Sequence, residues 1–123
     1  MGDLTEHFSR KEFACKCNCG ADDISEELVE KLELIRQMYG KPMKVTSGMR
    51  CEKHNSSSAV QGRKNSTHLK GWAADIAVSG CFQRDQLAGY LRMQFERMGI
   101  AQTFIHVDVG DEHGKPSPCL WVY

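Results

Sequence analysis

Apolar residues recur along this chain with two different periods, and the changes of period mark its elements. Leu28, Leu32, Ile35 and Tyr39 fall at helical spacing. Ser25 precedes them as a cap, and Glu26 and Glu27 suit the positive end of a helix dipole. Gly40 and Pro42 stop the run. Leu87, Leu91, Phe95 and Met98 form a second helical stripe, which predicts a helix over residues 82 to 98 with Gly99 as its stop. Ser9 with Glu12 makes a capping box and predicts a short helix over residues 9 to 14.

Strand patterns fill the rest. Met43 to Ser47 is a short strand, Trp72 to Val78 a buried one, and Leu120 to Tyr123 a last one. Thr103 to Val109 alternates. Side chains alternate across a strand, so Ile105, Val107 and Val109 share a core face while Phe104, His106 and Asp108 share the other. From Gly48 to Lys70 the chain is polar and irregular. A loop of that length in a small domain is usually functional or disordered. It runs straight into a His and an Asp, which favours function.

Length and charge narrow the class. With 123 residues, one domain spanning 1–123 with one modest core is expected. Lys plus Arg total 16 and Asp plus Glu total 16, so no excess of positive charge is available for nucleic acid or an anionic membrane. No apolar run approaches the roughly 20 residues that span a bilayer. The start, Met1 to His7, lacks a basic region followed by an apolar one. Synthesis in a cytoplasm is therefore expected, with later release or non-classical export open. A monomer is expected, since no spare apolar stripe is visible.

The chemistry centres on three residues. Asp75 sits inside the apolar run Trp72 to Val78, where a carboxylate is costly unless paired or bound. His68 lies seven residues before it, and His106 is in another strand. Two imidazoles and a carboxylate suit zinc, whose catalytic sites use three protein ligands and a water. Such an ion lowers the pKa of bound water to roughly 7 and polarises a carbonyl. Asp108, about 6.5–7 Å along the same strand face from His106, is the nearest carboxylate to take the proton. Plainer readings exist: a solvated His68, Asp75 paired with Arg50 or backbone amides, and His106 as a core histidine.

The motif Ser66-x-His68-x-x-Gly71-x-Ala73-x-Asp75, followed by Phe104-Ile105-His106-Val107-Asp108, resembles the signature of the zinc D-Ala-D-Ala carboxypeptidases, peptidase family M15. The small phage and bacterial members are most similar. Their Ser-Gly-x-Arg-Cys piece is matched by Ser47-Gly48-Met49-Arg50-Cys51, and their opening by Leu4 to Phe13. The resemblance implies an α+β fold, with helices packed on one side of a small antiparallel sheet, shared with the zinc-bearing domain of hedgehog proteins. It implies Zn2+ on His68, Asp75 and His106, and hydrolysis of a peptide bond in the peptidoglycan stem peptide, as in an endolysin. Arg50 falls where a basic residue holds the substrate carboxylate or polarises its carbonyl. Ser66 would bond substrate or shape the turn before His68. Trp121 is similar to an aromatic near the end of these proteins, but its expected place is the ordinary core.

One departure stands out. Many relatives carry the catalytic acid three residues before the last metal histidine, where this chain has Thr103. Asp108 is the substitute expected, with Asp111, Glu112 and His113 as further candidates. The departure also keeps open a non-catalytic zinc-bearing module that binds peptidoglycan or a protein. Six cysteines are many for a chain expected in a reducing compartment. Cys15, Cys17 and Cys19 lack Cys-x-x-Cys spacing; a four-thiolate set with Cys51, a disulfide and unpaired thiols are all compatible with them.

Overall fold

The structure, a computed structural model, describes residues 2–57 and 65–123. One sheet carries five strands: β1 (Val45–Ser47), β2 (Ala73–Ala77), β3 (Arg97–Ile100), β4 (Phe104–Asp108) and β5 (Cys119–Val122). Their order across the sheet is β1-β2-β4-β3-β5. Helices α1 (Glu26–Tyr39) and α3 (Gly80–Arg92) pack on each other and on one side of the sheet, and α2 (Glu52–Asn55) is a single turn. This is the α+β architecture that the sequence led us to expect.

Local chemistry explains α1 closely. The Leu28 N–H donates to the Ser25 side chain at 3.3 Å, and Gly40 closes the helix in the left-handed region at φ 75°. Its face of Leu28, Leu32 and Ile35 is fully buried against Leu87 and Leu91 of α3 and Ile76, Ile105, Val107 and Val109 of the sheet side. Each such side chain contributes roughly 1.5–3 kcal/mol when withdrawn from water. The N-terminal segment docks through Phe8 and Phe13, both buried. The capping box is present there, with the Ser9 N–H donating to Glu12 at 2.7 Å, but the turn is a 3-10 helix limited to Arg10–Glu12.

Two expectations need correction. The helix predicted over 82–98 is α3, which ends at Arg92; residues 97–100 form β3 instead. Phe95 and Met98 are buried as the stripe requires, but a turn and a strand bring them there. Over so short a span one apolar residue every three or four positions fits either path. The distinguishing residue is Gly99. A Cβ there would run into the Trp121 indole of β5, so the strand needs a residue without one. The second correction concerns β5. The sheet is antiparallel in its β1–β2, β2–β4 and β3–β4 pairings, but β5 joins β3 in parallel.

The polar stretch from Gly48 to Lys70 contains α2 and a 3-10 turn at Thr67–Lys70; residues 58–64 of it lie outside the described residues. Among the described residues no helix is long and apolar enough to cross a membrane.

Candidate metal centre

Strand register builds the site. Ser47 pairs with Asp75, Asp75 with His106, His106 with Gly99, and Gly99 with Trp121. These five residues form one row across the sheet, on the face away from α1 and α3. Directly opposed side chains in a sheet have Cβ atoms about 4.5–5.5 Å apart. Asp75 and His106 therefore meet because Ile76 and Ile105, one residue along, are committed to the core.

His68 arrives from outside the sheet. The Ser66 side chain accepts the His68 N–H at 3.2 Å and starts the 3-10 turn. Gly71 ends it at φ 74°, where a Cβ would meet the Asp23 carbonyl, and the chain then enters β2. One turn and one reversal fill the seven-residue interval and set His68 over Asp75. His68, Asp75 and His106 are all buried, at 2%, 5% and 5% exposure.

Hydrogen-bond partners assign the protons. The Gly48 carbonyl can only accept, so His68 Nδ1, 2.7 Å away, carries a hydrogen. Burial, which outweighs the pull of Asp75, holds His68 below its usual imidazole pKa and keeps it neutral. Its Nε2 is then a bare lone pair, 3.2 Å from Asp75 Oδ1. His106 donates from Nε2 to Asp108 Oδ2 at 2.7 Å and turns Nδ1 to the same Asp75 oxygen, again at 3.2 Å. Burial opposes a charge on His106, but its bonds to Asp108 and Asp75 outweigh burial and raise its pKa. Burial likewise pushes Asp75 up, and the His106 and His68 bonds more than reverse that, so it is held ionised.

A bare nitrogen facing a carboxylate oxygen is two acceptors with no hydrogen between them. A cation resolves the conflict. Bonds of about 2.0–2.2 Å at tetrahedral angles put ligand atoms about 3.3–3.6 Å apart, close to the spacing found. One donor atom from each of the three residues lies within 4.8 Å of the others. The donor set fits a divalent ion of zinc type.

The surroundings hold the donors in place. Asp108 is 1% exposed, and both its oxygens are engaged. Oδ2 accepts from His106 and from the Thr67 hydroxyl at 3.2 Å, while Oδ1 accepts from Arg97 Nε at 2.7 Å and the Gly110 N–H at 2.9 Å. Burial works against its charge, but His106 and these other donors hold its pKa below the carboxylate norm. Arg50 donates to Asp75 Oδ2 at 3.3 Å, to Ser47 at 3.0 Å and to Asn55 at 3.2 Å. Thr103, three residues before His106, is exposed. Of the other candidate acids and bases, Glu112 has its pKa raised by the Glu27 carboxyl of α1, and His113 stacks on Trp72 at 3.8 Å between ring centroids. Trp121 is only half-buried and lies 5.3 Å from the His106 ring, on the site face rather than in the core.

Sequence reasoning left out Thr67, Arg97 and Gly110. Thr67 is next to His68, which was a usable signal; Arg97 and Gly110 become legible only through the β3–β4 register and the turn after β4.

A buried His-Asp-His donor set on a mixed sheet defines a candidate metal-binding class of site. The sequence profile of the Peptidase M15 family matches residues 6–108, and the chain belongs to that family. It is therefore a peptidase by family. No curated protein matches the chain at a significant level.

Proposed function

We propose that this protein is a zinc peptidase of bacterial cell-wall peptide, acting on the peptidoglycan stem as a carboxypeptidase or endopeptidase of endolysin type. The observation that carries the reading is the convergence of two imidazole nitrogens on one Asp75 oxygen, each at 3.2 Å. His68, Asp75 and His106 would hold the ion. When bound, it supplies Lewis acidity, lowering the pKa of a water to about 7 and polarising a carbonyl.

The chain's own residues do the rest. The Gly48 carbonyl fixes the tautomer of His68, and Asp108 fixes that of His106. A carboxylate behind a ligating histidine orients the ring and raises its basicity. We assign Asp108 this positioning role first. To accept a proton as well, as the sequence suggested, it would have to give up one of its four donors. Arg50 lies beside the donor set, and its fork would take the substrate carboxylate or the scissile carbonyl. Ser66 is used in shaping the turn. Hydrolysis adds water to the carbonyl carbon, breaks the C–N bond and returns a proton to the leaving amine. The protein would act as a single-domain monomer, made in a cytoplasm and reaching the wall after release.

The full engagement of Asp108, with Thr103 in the acid position, favours a second reading: a zinc-bearing module that binds wall peptide without cutting it. Incubation with purified muropeptides separates the two. Chelator-sensitive release of D-alanine or of cleaved cross-links supports the enzyme. Retention of intact peptide, with no product at any metal loading, supports the module.

A further inference from the structure

A second cluster of donors lies outside the histidine site. We propose that Cys15, Cys17, Cys19 and Cys51 hold a structural zinc ion, a tetrathiolate site that ties the N-terminal loop to the segment carrying Arg50. The four sulfurs all lie within 4.8 Å of one another. Cys15 Sγ is 3.4 Å from that of Cys17 and 3.8 Å from that of Cys51, and Cys17 Sγ is 3.6 Å from that of Cys51. Zinc–sulfur bonds of about 2.3 Å at tetrahedral angles require sulfurs about 3.8 Å apart. A disulfide needs about 2.05 Å, well short of these three distances.

The loop is folded for this purpose. Cys residues two apart share one side of an extended chain but stand about 6.5–7 Å apart along it. Here Asn18 takes the left-handed region at φ 63°, and the Cys15 N–H closes the loop on the Ala21 carbonyl at 2.7 Å. The three thiols then draw within 4.8 Å of one another instead of standing in an extended row. Two backbone N–H groups point at sulfur: that of Cys51 at Cys15 Sγ, and that of His54 at Cys51 Sγ, each at 3.4 Å. Such donors favour the thiolate. Between Phe13 and Ile24 only Cys15 is buried, so the loop has almost no apolar surface of its own to order it. Four thiolates in a tetrahedron select zinc or iron. Four protein ligands leave no open position, which makes the site structural.

Its reach extends to the other centre. Cys51 follows Arg50, the Met49 N–H donates to the Phe13 carbonyl at 2.8 Å, and the Arg50 N–H donates to the His68 carbonyl at 3.0 Å. The thiolate site thus holds the strand end that supplies Arg50 and the Gly48 carbonyl. The proposal stands whether or not the histidine site is catalytic.

Metal analysis of protein purified under reducing conditions without chelator tests it. Wild type should carry two zinc ions per chain. His68→Ala should keep one, and the double variant Cys17→Ser/Cys19→Ser should also keep one. Cobalt-loaded His68→Ala, which retains every cysteine, should show intense sulfur-to-cobalt charge-transfer absorption even if the serine variant does not fold. One zinc in wild type and none in His68→Ala would overturn the proposal. So would iron in the site, or a Cys15–Cys51 disulfide in the reduced preparation. One zinc in wild type that survives His68→Ala would support the thiolate site and contradict the histidine one.

Discussion

The two faces of β4 follow different physics. Ile105 and Val107, with Val109 just beyond the strand, are fully buried against α1 and α3, and water exclusion alone accounts for their place. His106 and Asp108, interleaved with them, are nearly as buried, at 5% and 1% exposure, yet polar. Their burial is tolerated because every polar atom has a partner, while the bare lone pair of His68 beside them is aimed where a cation would sit. The helix face is built to fold. The site face is built to bind, and part of its balance depends on something the chain does not contain.

That contrast predicts separable failures. The largest effect is His106→Gln, which keeps a donor for Asp108 but loses the imidazole nitrogen. Muropeptide cleavage should fall to background and the histidine-site metal should be lost, while the melting temperature measured in chelator stays within a few degrees. Ile105→Ala, one residue away on the other face, should do the reverse. Chemical denaturation should show a loss of about 2–5 kcal/mol, with metal content per folded chain unchanged.

Asp108→Asn sharpens the comparison further. If Asp108 orients His106, competition against a chelator of known affinity should show metal binding weakened about 10–100-fold. Unaltered affinity with abolished turnover would instead make it the proton acceptor. The smallest effect lies on α1, on the opposite side of the sheet from the site. Burial pushes Glu33 up, but bonds from His7, Thr5 and Gln37 hold it at about 2 against an ordinary 4.5. A depressed carboxyl pKa stabilises the fold above about pH 4.5, and that contribution is lost as pH falls toward 2. Glu33→Gln should flatten the stability profile across that window, as read by melting temperature against pH.

Much of this was legible in the residues themselves. α1 announced both its ends through Ser25 and Gly40, and the two faces of β4 follow from alternation alone. His68, Asp75 and His106 stood out because a carboxylate in an apolar run demands an explanation. β3 did not stand out, because Phe95 and Met98 continue a helical stripe through a turn. Nor did the partners of Asp108: Arg97 reaches it only through the register of a strand the pattern concealed. Cys51 is brought to Cys15 across 36 residues, and only the docking of Met49 against Phe13 decides that meeting.

Anomalous diffraction at the zinc edge, from crystals of the protein grown with stoichiometric zinc, tests the central claim most directly. The account predicts a peak about 2.0–2.2 Å from His68 Nε2, Asp75 Oδ1 and His106 Nδ1. Density showing no ion among the three, with His68 and His106 still bonded to Asp75 as a purely internal network, would contradict it.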